Sequence, residues 1–307
     1  IPRPITVTAV ASSTKVYDGN TNSAEIPTVT SGTIVVGDTE SFTQSYADAN
    51  AGTGKTVIPT GVVIDGNTGA NYNVTFVNAL DGVITPATLV VTALGSTKVY
   101  DGTTEASSTV TLFDNRISGA DTFTVSFGSA TYVNKHVGNG KVITISGLTK
   151  AGVGSNNYDF ATTTIYTTGD ITTKTLTATP HVPNKVYDTT TSSVVTYTDD
   201  RVSGDAVALT GTAAFIDKTA GMSKTVLLSP ITFFGPDATN YTLSAPSTAT
   251  ADIYKASTTV SFTVDNKVYD ATTTAMISSR SVVGILGSDT VTVADGSANF
   301  SDKHVGT

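Results

Sequence analysis

Cysteine and tryptophan are both absent from the 307 residues, and methionine occurs only twice. Without a thiol there is no disulfide, no thiol nucleophile and no thiolate metal site, although the redox compartment stays open on this ground alone. Charge is scarce as well. Charged residues make up 14% of the chain, the net charge is −8, and the 17 lysines and arginines are scattered singly. That excludes the basic stripe with which a nucleic-acid binder neutralises phosphates. No apolar run approaches the roughly 18 to 20 residues of a membrane-spanning helix, and Ile1-Pro2-Arg3-Pro4 does not form a signal peptide. Sustained helical periodicity is missing too. What remains is 39% hydrophobic, enough for packed cores and too poor in charge for a solvated tail. The expectation is a folded, soluble piece of something longer.

The most conspicuous feature present is a phrase written four times: Lys15-Val16-Tyr17-Asp18-Gly19, Lys98-Val99-Tyr100-Asp101-Gly102, Lys185-Val186-Tyr187-Asp188-Thr189 and Lys267-Val268-Tyr269-Asp270-Ala271. Other signals keep step with it. A Gly/Asp turn follows each copy, at Gly37-Asp38, Gly119-Ala120-Asp121, Gly204-Asp205 and Gly287-Ser288-Asp289. Next comes an aromatic phrase: YADANAGTGK (46 to 55), YVNKHVGNGK (132 to 141), FIDKTAGMSK (215 to 224) and the shorter FSDKHVGT (300 to 307). Three copies then show Asn71-Tyr72, Asn157-Tyr158 and Asn240-Tyr241, and the fourth stops before that point. A repeat of this length marks copied structural units. It predicts modules over 1–86, 87–173 and 174–255, with an incomplete fourth over 256–307 that continues in the natural protein.

Within a module the apolar period is two. Phe123, Val125 and Phe127 alternate with Thr122, Thr124 and Ser126, and Ile143 and Ile145 do the same in the next run. This is the pattern of strands with one buried face, and Thr, Val, Ile and Tyr supply the propensity for it. Six to eight short strands per module, punctuated by Gly, Asp, Asn and Ser, predict an all-β chain. Its units are small β-sandwiches, immunoglobulin-like in general architecture, placed end to end as a rod. The segments joining them (82 to 92, 169 to 179 and 251 to 262) contain no Gly/Ser-rich coil, so neighbouring modules are expected to be held nearly rigidly.

In a strand, Lys and Tyr of the repeated phrase share one face, and Asp stands at the exit, where its carboxylate can take the following backbone N–H groups. The phrase therefore reads as a strand-to-turn clasp. Because Gly gives way to Thr189 and Ala271, a positive φ is not expected to be required there. A sharper reading pairs the recurrent lysines Lys15, Lys98 and Lys185 with Asn71, Asn157 and Asn240 in intramolecular isopeptide bonds.

The phrase, the Gly/Asp turn, the aromatic-x-D-K-x-x-G segment and Asn-Tyr together resemble the YDG-type repeat of large secreted bacterial surface proteins, filamentous-haemagglutinin-like adhesins among them. The resemblance spans essentially the whole chain. It implies export, an extracellular or cell-surface setting, and a stalk or adhesin role without catalysis. Modules three and four depart from it at the signature Gly.

Several motifs that suggest chemistry fail on inspection. AGTGKT (51 to 56) resembles a phosphate-binding loop, but Ala49 stands where its first Gly belongs and Pro59 lies in a strand-like run. His136 and His304 share a repeat position that Asn50 and Thr219 occupy elsewhere, His181 stands alone, and no nucleophile elbow is present, so no enzyme is expected. Asp18, Asn20 and Asn22 begin like a calcium loop, yet Val29 replaces the twelfth-position carboxylate. Asp81, Asp170 and Asp252 recur before each junction and are the residues on which calcium there would depend. The dense threonines of 161 to 179 reflect strand propensity rather than an ice-binding face. The reading adopted is a structural stalk segment whose partners are neighbouring modules. Its rivals are a glycan- or protein-binding module acting by avidity, and a subunit of a self-assembling extracellular filament or sheath.

Overall fold

The computed structural model describes residues 1–117, 119 and 121–306. Ala120 of the second Gly/Asp turn and the terminal Thr307 of the fourth aromatic phrase lie outside the described residues, as does Ser118. The chain is all-β, and the helical elements among the described residues are single 3₁₀ turns at Ser107–Thr109, Ser155–Asn157 and Ala238–Asn240. It divides into two compact units, Ile1–Thr172 and Thr173–Thr307.

The first unit opens with seven strands: β1 (Arg3–Thr8), β2 (Thr14–Val16), β3 (Thr28–Ser31), β4 (Thr39–Tyr46), β5 (Gly52–Ile64), β6 (Tyr72–Val77) and β7 (Ala79–Thr85). They form two sheets, in the orders β3-β1-β6 and β2-β7-β5-β4. Alternation explains the layering. Ile5 and Val7 of β1 are buried between exposed or half-exposed neighbours and meet Phe42, Val63 and Tyr72, with Val29, Ile34 and Val74 packed around them. Each such side chain contributes on the order of 1.5 to 3 kcal/mol by leaving water.

Two pairings are parallel. β1 lies beside β6, with Arg3 opposite Tyr72, and β2 lies beside β7, with Lys15 opposite Ile84. The second pairing fixes the direction of the repeated phrase. Lys-Val runs alongside the module's last strand, so Tyr-Asp emerges where that strand leaves for the next module, and the Tyr17 N–H donates to the Thr85 carbonyl at 2.8 Å.

The same plan recurs in the rest of the unit, over β8 (Ala87–Leu89), β9 (Val91–Gly95), β10 (Thr97–Val99), β11 (Val110–Asp114), β12 (Thr122–Ser126), β13 (Ser129–Tyr132), β14 (Gly138–Ser146), β15 (Thr149–Val153), β16 (Tyr158–Phe160) and β17 (Thr164–Thr172). β8 pairs parallel with β16 and β10 parallel with β17, Lys98 facing Ile171. Only Pro86 separates β7 from β8.

In the second unit, Lys174–His181 runs parallel to Tyr241–Ser244, and Lys185–Val186 parallel to Thr248–Tyr254. Phe215, Val226, Ala251 and Ile253 are central to its core. The last strands pair as hairpin-like ladders, Thr259–Val264 with Ile277–Val283 and Thr274–Ala275 with Ala298–Asn299.

Candidate functional site

Each repeated phrase folds into a clasp. The ammonium of Lys15 lies 2.6 Å from Asp18, and those of Lys98, Lys185 and Lys267 lie 2.8 Å from Asp101, Asp188 and Asp270. The same carboxylates accept the N–H two residues on, from Asn20, Thr103, Thr190 and Thr272, at 2.9 to 3.1 Å. The lysine also donates to carbonyls across the turn, those of Thr103 and Glu105 in the second module and of Thr190 and Ser192 in the third. Its ammonium stands 5.6 to 5.9 Å over the ring that opens the aromatic phrase: Tyr46, Tyr132, Phe215 or Phe300. Lysine thus ties the two recurrent phrases together by charge, hydrogen bonds and a ring face. It holds the Asp188 and Asp270 carboxyls down to about 2 from 3.8, with the turn's own N–H groups adding to the effect.

The expectation that this turn has no need of a positive φ is wrong. Gly19 and Gly102 have φ of 79°, and Thr189 and Ala271 keep the same conformation, at 66° and 67°. The aspartate's hold on the N–H two residues ahead, with lysine fixing the aspartate, dictates the backbone whatever residue sits between them.

The Asn-Tyr pair meets the Gly/Asp turn in three modules. Tyr72, Tyr158 and Tyr241 each donate a phenolic hydrogen bond at 2.6 Å, to Asp38, Asp121 and Asp205 respectively. The same hydroxyls accept a backbone N–H, from Val35, Ile117 and Val202, at 2.8 to 2.9 Å. The turn is therefore pinned by main chain and side chain at once.

Between the first two modules these pieces come together. Tyr17, only 5% exposed, reaches the carboxylate of Asp121 in the next module at 2.9 and 3.1 Å, so that Asp121 receives two phenols. The Tyr17 and Tyr158 rings meet edge to face, 5.4 Å apart. Asn157, 3% exposed, accepts the Ala51 N–H at 2.9 Å, and its amide lies 3.3 Å from Asn50 and 3.4 Å from Asp121. Burial, and then Asp121, push the Tyr158 phenol up to about 12 and raise that of Tyr17, so both are donors at neutral pH. Gly154 closes the floor of the site. Its φ is 81°, and a Cβ on it would lie 1.8 Å from Asp121 Oδ1, so no side chain fits.

In the second unit the partners repeat. Tyr187 hydrogen-bonds Asp289, which together with burial raises its phenol, and Thr189 packs against Gly287 as Gly19 does against Ile117. Tyr100 is 2% exposed, whereas Tyr269 is 58% exposed.

The clasp residues Lys15, Asp18, Lys98, Asp101, Lys185, Asp188, Lys267 and Asp270 are thus brought together pairwise, and Tyr17, Tyr72, Tyr158, Tyr187 and Tyr241 join to the Gly/Asp turns. The lysine–asparagine pairs are not. Among the described residues Lys98 is bonded to its own turn, Asn157 belongs to the joint, and Asn71 accepts from Asn67. Asn240 is fully buried. AGTGKT enters β5, where Lys55 pairs with Asp48 at 2.5 Å. At the shared histidine position it is the backbone N–H that bonds the residue two before: His136 to Asn134, His304 to Asp302, Asn50 to Asp48 and Thr219 to Asp217. Of the junction aspartates, Asp81 accepts from Ser12, Asp170 from the Gly140 N–H and Asp252 from the Ser223 N–H. Among the described residues no three His, Asp or Glu side chains converge as a metal site would need.

Sequence reasoning missed the acceptor role of Asp121, although the recurrence of Tyr and the Gly/Asp turn in the same order in each copy was its signal. It also missed Arg116 and Arg201, whose guanidinium groups grip Asp114 and Asp199 in a two-point fork and also donate to the Phe123 and Val207 carbonyls. The recurring D-x-R at 114 to 116 and 199 to 201 marked them. Compared with known proteins, the chain matches the family model of the YDG domain four times, over residues 1–79, 85–165, 172–251 and 254–307. No curated protein matches it.

Proposed function

This chain belongs to the YDG domain family, and from its four consecutive copies we propose that it is a non-catalytic structural segment, a stalk or fibre piece, of a large bacterial surface adhesin outside the cell. The observation that carries the reading is the tyrosine joint. The tyrosine of a turn at the end of one module is buried against the next, and two phenols share one 6%-exposed carboxylate across that boundary. A hydrogen bond to a charged acceptor of this kind contributes about 1.5 to 3 kcal/mol, and hinging at the boundary would break it. With Pro86 alone between β7 and β8, little chain is free to bend. The same chemistry serves Tyr187 and Asp289 in the second unit, so the device is copied rather than incidental.

The recurrent Lys, Asp and Tyr side chains bond to one another, as parts of a scaffold do, instead of pointing an activated group at a shared cleft. The resemblance to tandem repeats of secreted surface proteins supports an exported setting. The test is mechanical. Pulled by its ends in a force microscope, the chain is expected to give a sawtooth with increments of roughly 250 to 300 Å for each repeat of 82 to 87 residues. Smooth extension without peaks would overturn the stalk reading, and specific capture by a glycan array would replace it with the adhesive-module one.

A further inference from the structure

Two joints use the same tyrosine-to-aspartate bond and differ in the residue that follows Tyr-Asp. At the first, Tyr17 ends on Asp121, and Ile117 of the next module comes so close to Gly19 that a Cβ there would lie 3.3 Å from the isoleucine Cγ2. At the joint of the third and fourth modules, where Tyr187 bonds Asp289, the bulk is exchanged. Thr189 supplies the side chain, and it faces Gly287, whose Cβ would lie 3.3 Å from the threonine Cγ2. A glycine meets a side chain in both joints, from opposite sides.

Neither side of the first joint is free to yield. The Ile117 N–H donates to the Tyr158 hydroxyl at 2.8 Å, and that hydroxyl donates to Asp121 at 2.6 Å, which fixes the isoleucine main chain. Gly19 is held as firmly, since Asp18 takes Lys15 at 2.6 Å and the Asn20 N–H at 3.1 Å, and Tyr17 is tied to Asp121. With φ of 79° at Gly19 and 66° at Thr189, a threonine at 19 would direct its side chain much as Thr189 does. It would meet Ile117.

We infer that the residue after Tyr-Asp, with the residue facing it, keys each joint by size and so selects which module can follow which. The surface of Ile117 and Asp121 admits an exit turn bearing glycine, as the first module's does, and rejects one bearing a β-branched residue, as the third module's does. The surface of Gly287 and Asp289 admits either. Discrimination of this kind comes from the clash of the wrong partner and not from added contact with the right one. Tandem repeats misassemble when one docks in another's place, and a keyed joint bars that exchange. The inference rests on the joint and not on where the protein resides or what load it carries.

The Ala51 N–H, which Asn157 accepts across the first joint at 2.9 Å, reports opening of that joint through its hydrogen exchange. In the full chain Gly19→Thr should accelerate exchange at Ala51, by a factor about tenfold greater with Ile117 present than in a chain carrying Ile117→Ala, because only the latter relieves the overpacking. Exchange at Ile143, in the core of the second module, should stay unchanged throughout, which separates opening of the joint from unfolding. Gly19→Ala, with only a Cβ to place, repeats the comparison and should show the same sign with a smaller difference. Equal acceleration with Ile117 and with Ile117→Ala would make backbone strain the cause and overturn the proposal, as would no acceleration at all. An Ala51 amide that exchanges freely in the unaltered chain would instead overturn the joint itself, and the stalk reading with it.

Discussion

Thr189 is the residue at which local preference and tertiary demand disagree most openly. A β-branched side chain in the left-handed region costs on the order of 1 to 2 kcal/mol, and glycine would avoid that at an entropic cost of roughly 0.5 to 1 kcal/mol. Thr189 nevertheless sits at φ 66°, because Asp188 draws in the Thr190 N–H at 2.9 Å and Lys185 holds Asp188. Replacing Thr189 with Gly should therefore stabilise the chain by roughly 0.5 to 1 kcal/mol, seen as a higher urea midpoint. A midpoint that falls or stays put would show that the strain is not there. At this scale the sequence was legible in part. That Asp takes the N–H groups of its own turn could be read from residue type, since a short carboxylate at a strand exit has few other partners. The φ could not be, because identity at 19, 102, 189 and 271 drifts from Gly to Thr to Ala while the hydrogen bonds around it do not change.

At the scale of the element, the repeated phrase in the first three modules starts in a two- or three-residue strand whose importance comes from its direction. Parallel pairing of Lys15 with Ile84 and of Lys98 with Ile171 delivers the tyrosine to the exit of its module. The same phrase is then worth different amounts in different places. Tyr17→Phe removes a phenol from a buried, charged acceptor and should cost about 2 kcal/mol, whereas Tyr269→Phe at an exposed turn should cost less than about 0.5 kcal/mol in folding stability. Equilibrium urea unfolding of the two variants decides it, and equal losses would remove the joint from the account. Alternation of buried and exposed residues made strands such as β12 and β14 legible, with Phe123, Ile143 and Ile145 inside. The orders β3-β1-β6 and β2-β7-β5-β4 were not, since partners some 70 residues apart leave no mark on the local period.

At the scale of the whole molecule, copying multiplies small effects. The Asp188, Asp217 and Asp270 carboxyls are each held at about 2, first by Lys185, Lys224 and Lys267 respectively. A carboxyl whose folded value is depressed stabilises the fold above its unfolded value, near 3.8, and that contribution is lost as pH falls through the folded value. The urea midpoint should accordingly be insensitive to these groups above about pH 5 and should fall between about pH 4 and pH 2. In a chain carrying Asp188→Asn and Asp270→Asn together the fall should be shallower. A midpoint that holds constant down to pH 2 would mean the clasps contribute nothing.

By itself the sequence determined that the chain is β-rich, that its apolar faces alternate, and that one unit is copied three times and begun a fourth, because period and recurrence are properties of the string. Only the tertiary structure decided that Tyr17 ends on Asp121 of the following module and that Thr189 bears a glycine's backbone. Both outcomes depend on groups brought within 3 Å of each other by folding, and proximity in space is not a local property of the chain.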